Sequence, residues 1–246
     1  MSASSMKGAG YALTGLRWLP KNGLGRFVAL PLLINIVLFG TGIWWTYGQF
    51  EYFDQVLQGW LPTWLDWLHW LIWPIFALTV LIALFYSFSV VANLLAAPFN
   101  SLLAEQVERL AQPGNTPRPA TDLNWKELIL SPLAGLNRLL YFIGWAIPLL
   151  LLSFVPVVNV AAPVLWVLFS AWMLALEYAD YPLANRGLSF RDQRRLLRQH
   201  WPLTLGFGGM VLLLTLIPIV NFLAMPAAVI GATLMWAREI PASGIR

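Results

Sequence analysis

Asn22-Gly23-Leu24-Gly25-Arg26 stands directly before a long apolar run and holds the parts of an oxyanion site. A helix N-terminus offers unpaired N–H groups and the positive end of the helix dipole. Glycines let a ligand approach the backbone closely. An arginine adds a permanently charged fork of donors. The same pattern arises where an interfacial arginine reaches lipid phosphates, and both readings stay open. A second set of charges lies in AAPFNSLLAEQVER, where Glu105, Glu108 and Arg109 fall on adjacent helical turns. Glu105 and Arg109 have the i,i+4 order that favours an ion pair. Arg138 lies in an otherwise apolar stretch, LNRLLYF. Ionisable groups near membrane depth face protein or water and tend to pair. Arginines with glutamate partners can line an anion pathway, because arginine supplies both field and donors. The competing reading is span-end charges in water, and it is the one taken for Asp180 and Arg186.

The elements that must carry these residues are membrane helices. Of 246 residues, 59% are apolar and 11% charged, against about 25% charged in soluble domains. Phe27–Trp45 and Trp67–Pro98 are almost free of charge, and the 14 tryptophans fit interfacial anchoring. No secretory signal is read in the first 26 residues. Cysteine is absent, which excludes disulfides, thiolate metal sites and cysteine nucleophiles. His69 and His200 each sit beside a tryptophan near a span end and read as interfacial residues. No His-Glu-x-x-His, Gly-x-Ser-x-Gly or Walker loop occurs. The chain is therefore not expected to be an enzyme or an ATP-driven pump, and no cofactor or metal is expected. The net charge of +4 is a matter of membrane orientation, not of nucleic acid. The basic RDQRRLLR stretch at residues 191–198 reads as a loop facing lipid headgroups.

One motif occurs twice. FVPVVNVAAPVLWVLFSAWMLALE and LIPIVNFLAMPAAVIGATLMWARE each hold a Pro-x-x-Asn turn, a second proline and an apolar helix ending at Glu177 or Glu239. Neither turn carries a charge. The copies read as helical hairpins with tips within or near the bilayer, shielded by other protein, since irregular backbone at that depth must pack on protein or line a cavity. Their approaches, Leu139–Phe154 and Leu203–Leu216, look short beside the ~20 residues of a full crossing. The alternative is two ordinary pairs of spans with short loops. The expected fold is all-α: a polytopic membrane protein with two long helices at 27–47 and 64–98 and repeated hairpins at 125–180 and 203–240. An interfacial helix is expected at 6–19, and an amphipathic helix with a loop at 99–124. Every Lys and Arg falls on one face, taken as cytoplasmic, while residues 49–66 carry only acidic charges. Dual insertion is also compatible with that count.

RFVALPLLINIVL, LLAAPFNSLLAEQVE, APVLWVLFSAWMLALEYADYP and IPIVNFLAMPAAVIGATLMW resemble the CysZ family of bacterial inner-membrane sulfate-uptake proteins, over nearly the whole length. The resemblance implies a multi-pass inner-membrane protein that takes up sulfate for cysteine biosynthesis, with sulfite or other oxyanions as further candidates. It implies a homo-oligomer, a dimer or a multiple of dimers, in the bilayer. It also implies a sulfate site at a Gly-Leu-Arg-Arg type motif, which here reads Gly23-Leu24-Gly25-Arg26, with Gly25 in place of one arginine. The expected donors are the backbone of Gly23, Leu24 and Gly25 and the side chain of Arg26. The family's charged helix matches AEQVER, which makes Glu105, Glu108, Arg109 and Arg138 the expected permeation residues. Channel and proton-coupled transporter both stay open. The rival class is a non-transporting membrane scaffold or regulator.

Overall fold

Apolar runs bounded by Gly, Pro and charged residues become helices throughout the computed structural model, which describes residues 3–21, 23–49, 69–112 and 125–239 together with 52, 55, 56 and 59. In chain order the helices are α1 (Ala3–Trp18), α2 (Arg26–Gly48), α3 (His69–Ala111), α4 (Trp125–Ser153), α5 (Ala162–Asn185), α6 (Phe190–Gln199), α7 (Trp201–Thr215) and α8 (Pro218–Glu239), with a short 3-10 turn at Val158–Ala161. No strand occurs among the described residues. Apolar spans within α2, α4, α5 and α8 are long enough to cross a membrane. The chain is a multi-pass, all-helical membrane protein.

Two boundaries differ from the sequence expectation. The second long helix does not end at Pro98: α3 runs for 43 residues, through Pro74 and Pro98, and takes in the amphipathic AEQVER segment. Proline removes one N–H from the ladder, and membrane helices tolerate that where neighbouring groups compensate. The approach to the first hairpin is not short, because α4 has 29 residues. The approach to the second is: α7 has 15 residues, about 22 Å at ~1.5 Å per residue, against a hydrocarbon core of ~30 Å. The loop expected at 112–124 falls mostly outside the described residues, as does most of the acidic connector at 49–66.

The chain divides into two compact units, one formed by Met1–Phe27 with Asn100–Arg246 and the other by Val28–Phe99. In the second unit, α2 and α3 line an apolar groove with Phe39, Ile43, Leu81, Ile82, Leu84 and Phe85. Among the described residues no polar side chain lines that groove. In the first unit, α1 lies on α7 and α8, and α5 packs against the same pair. Small residues make the approach possible. A methyl at Gly8 would overlap the Leu203 carbonyl oxygen, and one at Gly15 would overlap that of Ala227. Close backbone contact through small residues is how helices associate where lipid is as apolar as the side chains. Ala227, Ala228, Ile230, Leu234, Met235 and Trp236 are completely buried there.

Candidate functional site

The turn between α1 and α2 is built by short-range hydrogen bonds. Lys21 N–H donates to the Trp18 carbonyl at 2.8 Å, and Leu24 N–H to the Lys21 carbonyl at 3.1 Å. Gly23 has φ +72°, a left-handed conformation that favours glycine. Nothing stands within 4 Å of where its Cβ would be. Leu24 is completely buried and pins the turn to the protein. Gly23 and Arg26 are exposed and Gly25 half-buried. The Arg26 guanidinium lies 5.0 Å from the centre of the Phe27 ring. The turn thus presents the backbone of two glycines and one guanidinium outward, directly at the start of α2. The Leu24 amide, expected as a donor, is engaged by Lys21 in this structure.

The second set of charges gathers where the last three turns of α3 meet the ends of α5 and α8. Leu103, Ala104 and Val107 are completely buried and fix the face that α3 turns inward. That orientation carries Glu105 and Glu108 in with them, 6% and 2% exposed. Glu105 pairs with Arg109 one turn later, the arginine reaching toward solvent. Glu108 pairs instead with Arg186 just beyond α5, whose Nη2 and Nε lie 2.7 and 2.8 Å from one carboxylate oxygen. The other oxygen, Oε2, is buried without a hydrogen-bond partner among the described residues, and so is Arg186 Nη1. Two amides stitch the same helices: Asn185 donates to the Ser101 carbonyl at 2.9 Å, and Asn100 faces the Tyr181 hydroxyl at 3.4 Å. Arg138 on α4 pairs with Asp180 on α5, and Glu177, one turn before Asp180, is within electrostatic reach of both.

Glu105, Glu108 and Arg109 therefore share one helix segment, and Arg138 joins the same end of α5 through Asp180. Arg186 and Asp180 were the residues sequence reasoning left in water. Their side chains are each only 13% exposed. Tyr181 and Asn185, one turn apart on α5, both face hydrogen-bonding groups on α3. Each of Arg109, Arg138 and Arg186 has a carboxylate at hydrogen-bonding distance.

The hairpin tips have a different character. Phe154, Val157 and Val160 of the first tip are 77%, 87% and 80% exposed, and Ile219 and Phe222 of the second 83% and 79%. The described residues of this chain do not shield them.

Comparison with known proteins agrees with the resemblance in the motifs. The family model described as "Sulfate transporter CysZ/Etoposide-induced protein 2.4" matches residues 11–226. A protein of Pseudomonas fluorescens named sulfate transporter CysZ is 46% identical over 97% of this chain and 96% of the relative. One of that name from Pectobacterium atrosepticum is 43% identical over 93% of this chain and 84% of its own length. Another, from Pseudomonas syringae, is 41% identical over 97% and 95%. This chain belongs to the sulfate transporter CysZ/etoposide-induced protein 2.4 family.

Proposed function

We propose that this protein carries sulfate across the bacterial inner membrane, supplying sulfur for cysteine biosynthesis. The observation that carries the reading is the near full-length identity to proteins named sulfate transporters. The Gly23–Arg26 turn supplies what a tetrahedral dianion needs first: glycine backbone open to solvent and an exposed guanidinium at a helix start. Glu105, Glu108, Arg109 and Arg138, with Arg186, form the permeation pathway. In the resting state the protein's own carboxylates occupy the arginines. Sulfate takes their place as it passes. That exchange works in a passive channel and in a proton-coupled transporter alike. The exposed apolar tips and the exposed face of α4 support a homo-oligomer in the bilayer, with the hairpins penetrating in part.

Uptake of labelled sulfate into proteoliposomes, with and without a pH gradient and with chloride and phosphate as controls, tests the reading. Flux above that of empty vesicles is expected, and vesicles that stay impermeable to sulfate sink it. Dependence of flux on the gradient separates coupling from passive conduction. Arg26→Ala is expected to weaken sulfate binding in detergent about tenfold or more, the loss of one charge-assisted donor set. Unchanged affinity removes Arg26 from the site.

A further inference from the structure

Every arginine discussed at the end of α3 has a carboxylate partner, but among the described residues the arginines of α6 have none. α6 reads FRDQRRLLRQ. Its inward face is Phe190, Gln193, Arg194 and Leu197: Gln193 and Leu197 are buried, and the Arg194 guanidinium stacks 4.6 Å from the Tyr141 ring and 5.0 Å from that of Phe190. Arg191, Arg195 and Arg198 are all exposed. They stand at i, i+4 and i+7, which places them in one stripe along the helix. Among the described residues none of the three has an ion-pair partner.

The position of the stripe is tightly set. α5 ends at Asn185, and Gly187 closes it in a left-handed turn with φ +79°. Gly187 N–H bonds the Ala184 carbonyl at 2.8 Å and Leu188 N–H the Leu183 carbonyl at 3.1 Å, the double bond of a Schellman cap. Ser189 then caps α6 by accepting from the Asp192 N–H at 3.3 Å. At the other end only His200 separates α6 from α7. Trp201, the first residue of α7, is 59% exposed, a residue type concentrated at the level of lipid headgroups. α6 is therefore held, without slack, at the end of one apolar span and the start of another apolar helix. We infer that the Arg191–Arg195–Arg198 stripe is a docking surface for anionic phospholipid headgroups, which anchors the junction between the two hairpins at the membrane surface. The inference does not depend on what the protein transports.

Titration of the purified full-length protein in detergent with phosphatidylglycerol and, separately, phosphatidylcholine, read by native mass spectrometry, tests it. Wild type is expected to bind the anionic lipid more tightly, and the preference is expected to shrink as ionic strength rises. The triple variant Arg191→Gln, Arg195→Gln, Arg198→Gln is expected to lose preference by about fivefold per arginine replaced. The corresponding triple Lys variant is expected to keep most of it. Equal preference in the wild type and the Gln variant overturns the inference. If the Gln variant does not fold, a wild-type preference insensitive to ionic strength overturns it equally. Soluble glycerol phosphate and inorganic sulfate are added as competitors. Displacement of the lipid by either at low millimolar concentration shows a free-anion site and also overturns the lipid assignment.

Discussion

Of the apolar span in α5, 28% is buried within the chain, against 67% of that in α8, and in α4 none is. These helices belong to two copies of one motif, so the motif itself does not decide burial. The second copy reads AMPAAVIGATLMWARE where the first reads APVLWVLFSAWMLALE. Alanines and Gly231 in α8 let α1 settle onto its backbone. In α5 such an approach occurs only around Ala171, whose carbonyl a methyl at Gly208 of α7 would overlap, and away from that crossing Val164, Val167 and Leu168 stay exposed. The first hairpin is instead tied at one end by polar contacts: Arg138 to Asp180, Glu108 to Arg186 and Asn185 to Ser101. Packing through small residues holds a hairpin along its length. One close crossing and ties at one end leave the outer face of α5 held by whatever surrounds it, and elements with few buried contacts are those that open most easily. The proposed pathway residues lie at the tied end of the loosely packed hairpin, where arginines can change partners without disturbing the core.

The largest effect is expected at that end. Arg186→Ala leaves Glu108 buried beside no cation and should cost about 3–5 kcal/mol. Replacing both partners together, Arg186→Met with Glu108→Leu, should recover most of that stability while abolishing sulfate flux. Thermal unfolding in detergent and proteoliposome uptake check the two halves. A double variant as unstable as Arg186→Ala would show that the pair does more than neutralise itself. For the packed hairpin the matching change is Gly15→Leu, which forces α1 off the Ala227 carbonyl and should cost about 3 kcal/mol. Gly144 in α4 has nothing within 4 Å of its Cβ position. Gly144→Leu should therefore shift stability by under about 1 kcal/mol. Equal costs at Gly15 and Gly144 would erase the distinction between the hairpins.

Apolar runs, proline-marked turns and charge asymmetry made the helices, the repeat and the paired Glu105–Arg109 readable from residues alone, because each depends on local spacing. Burial of Arg186 and Asp180 was not readable. It depends on AEQVER being helical and turning Glu108 toward the end of α5, a contact made with a residue 78 positions away in sequence. The packing of α1 was half visible. Gly8 and Gly15 stand seven residues apart on one helical face, but a glycine face has meaning only once its partner is known, and the partners Gly206 and Gly231 lie about 200 residues away in sequence. Which copy of the repeat forms the core was open for the same reason. The hairpin motif is carried by its prolines and asparagines, while the packing is carried by residues between them that the motif does not constrain.

The two carboxylates that end the copies give the finest comparison. Glu177 is exposed on α5, whereas Glu239 is gripped by α1: Lys7 Nζ lies 2.8 Å from it and the Tyr11 hydroxyl donates to it at 2.6 Å. Lys7 is 58% exposed, so its ion pair contributes at most about 1 kcal/mol. Tyr11 is 7% exposed, and its hydrogen bond to a charged acceptor should be the stronger tie. Tyr11→Phe is expected to cost about 1.5 kcal/mol by thermal unfolding. Burial, and then the hydrogen bond to Glu239 and its charge, push the Tyr11 phenol up from 10.0 to about 12. Because the folded-state value is raised, this contribution is fully present below pH 10 and lost as pH rises toward about 12. The stability gap between wild type and Tyr11→Phe should therefore stay constant through neutral pH and close only in that alkaline window. A gap that closes near neutrality would mean that a group other than the phenol fastens α1 to the end of α8, and the contrast with Glu177 would then not rest on the Tyr11 hydrogen bond.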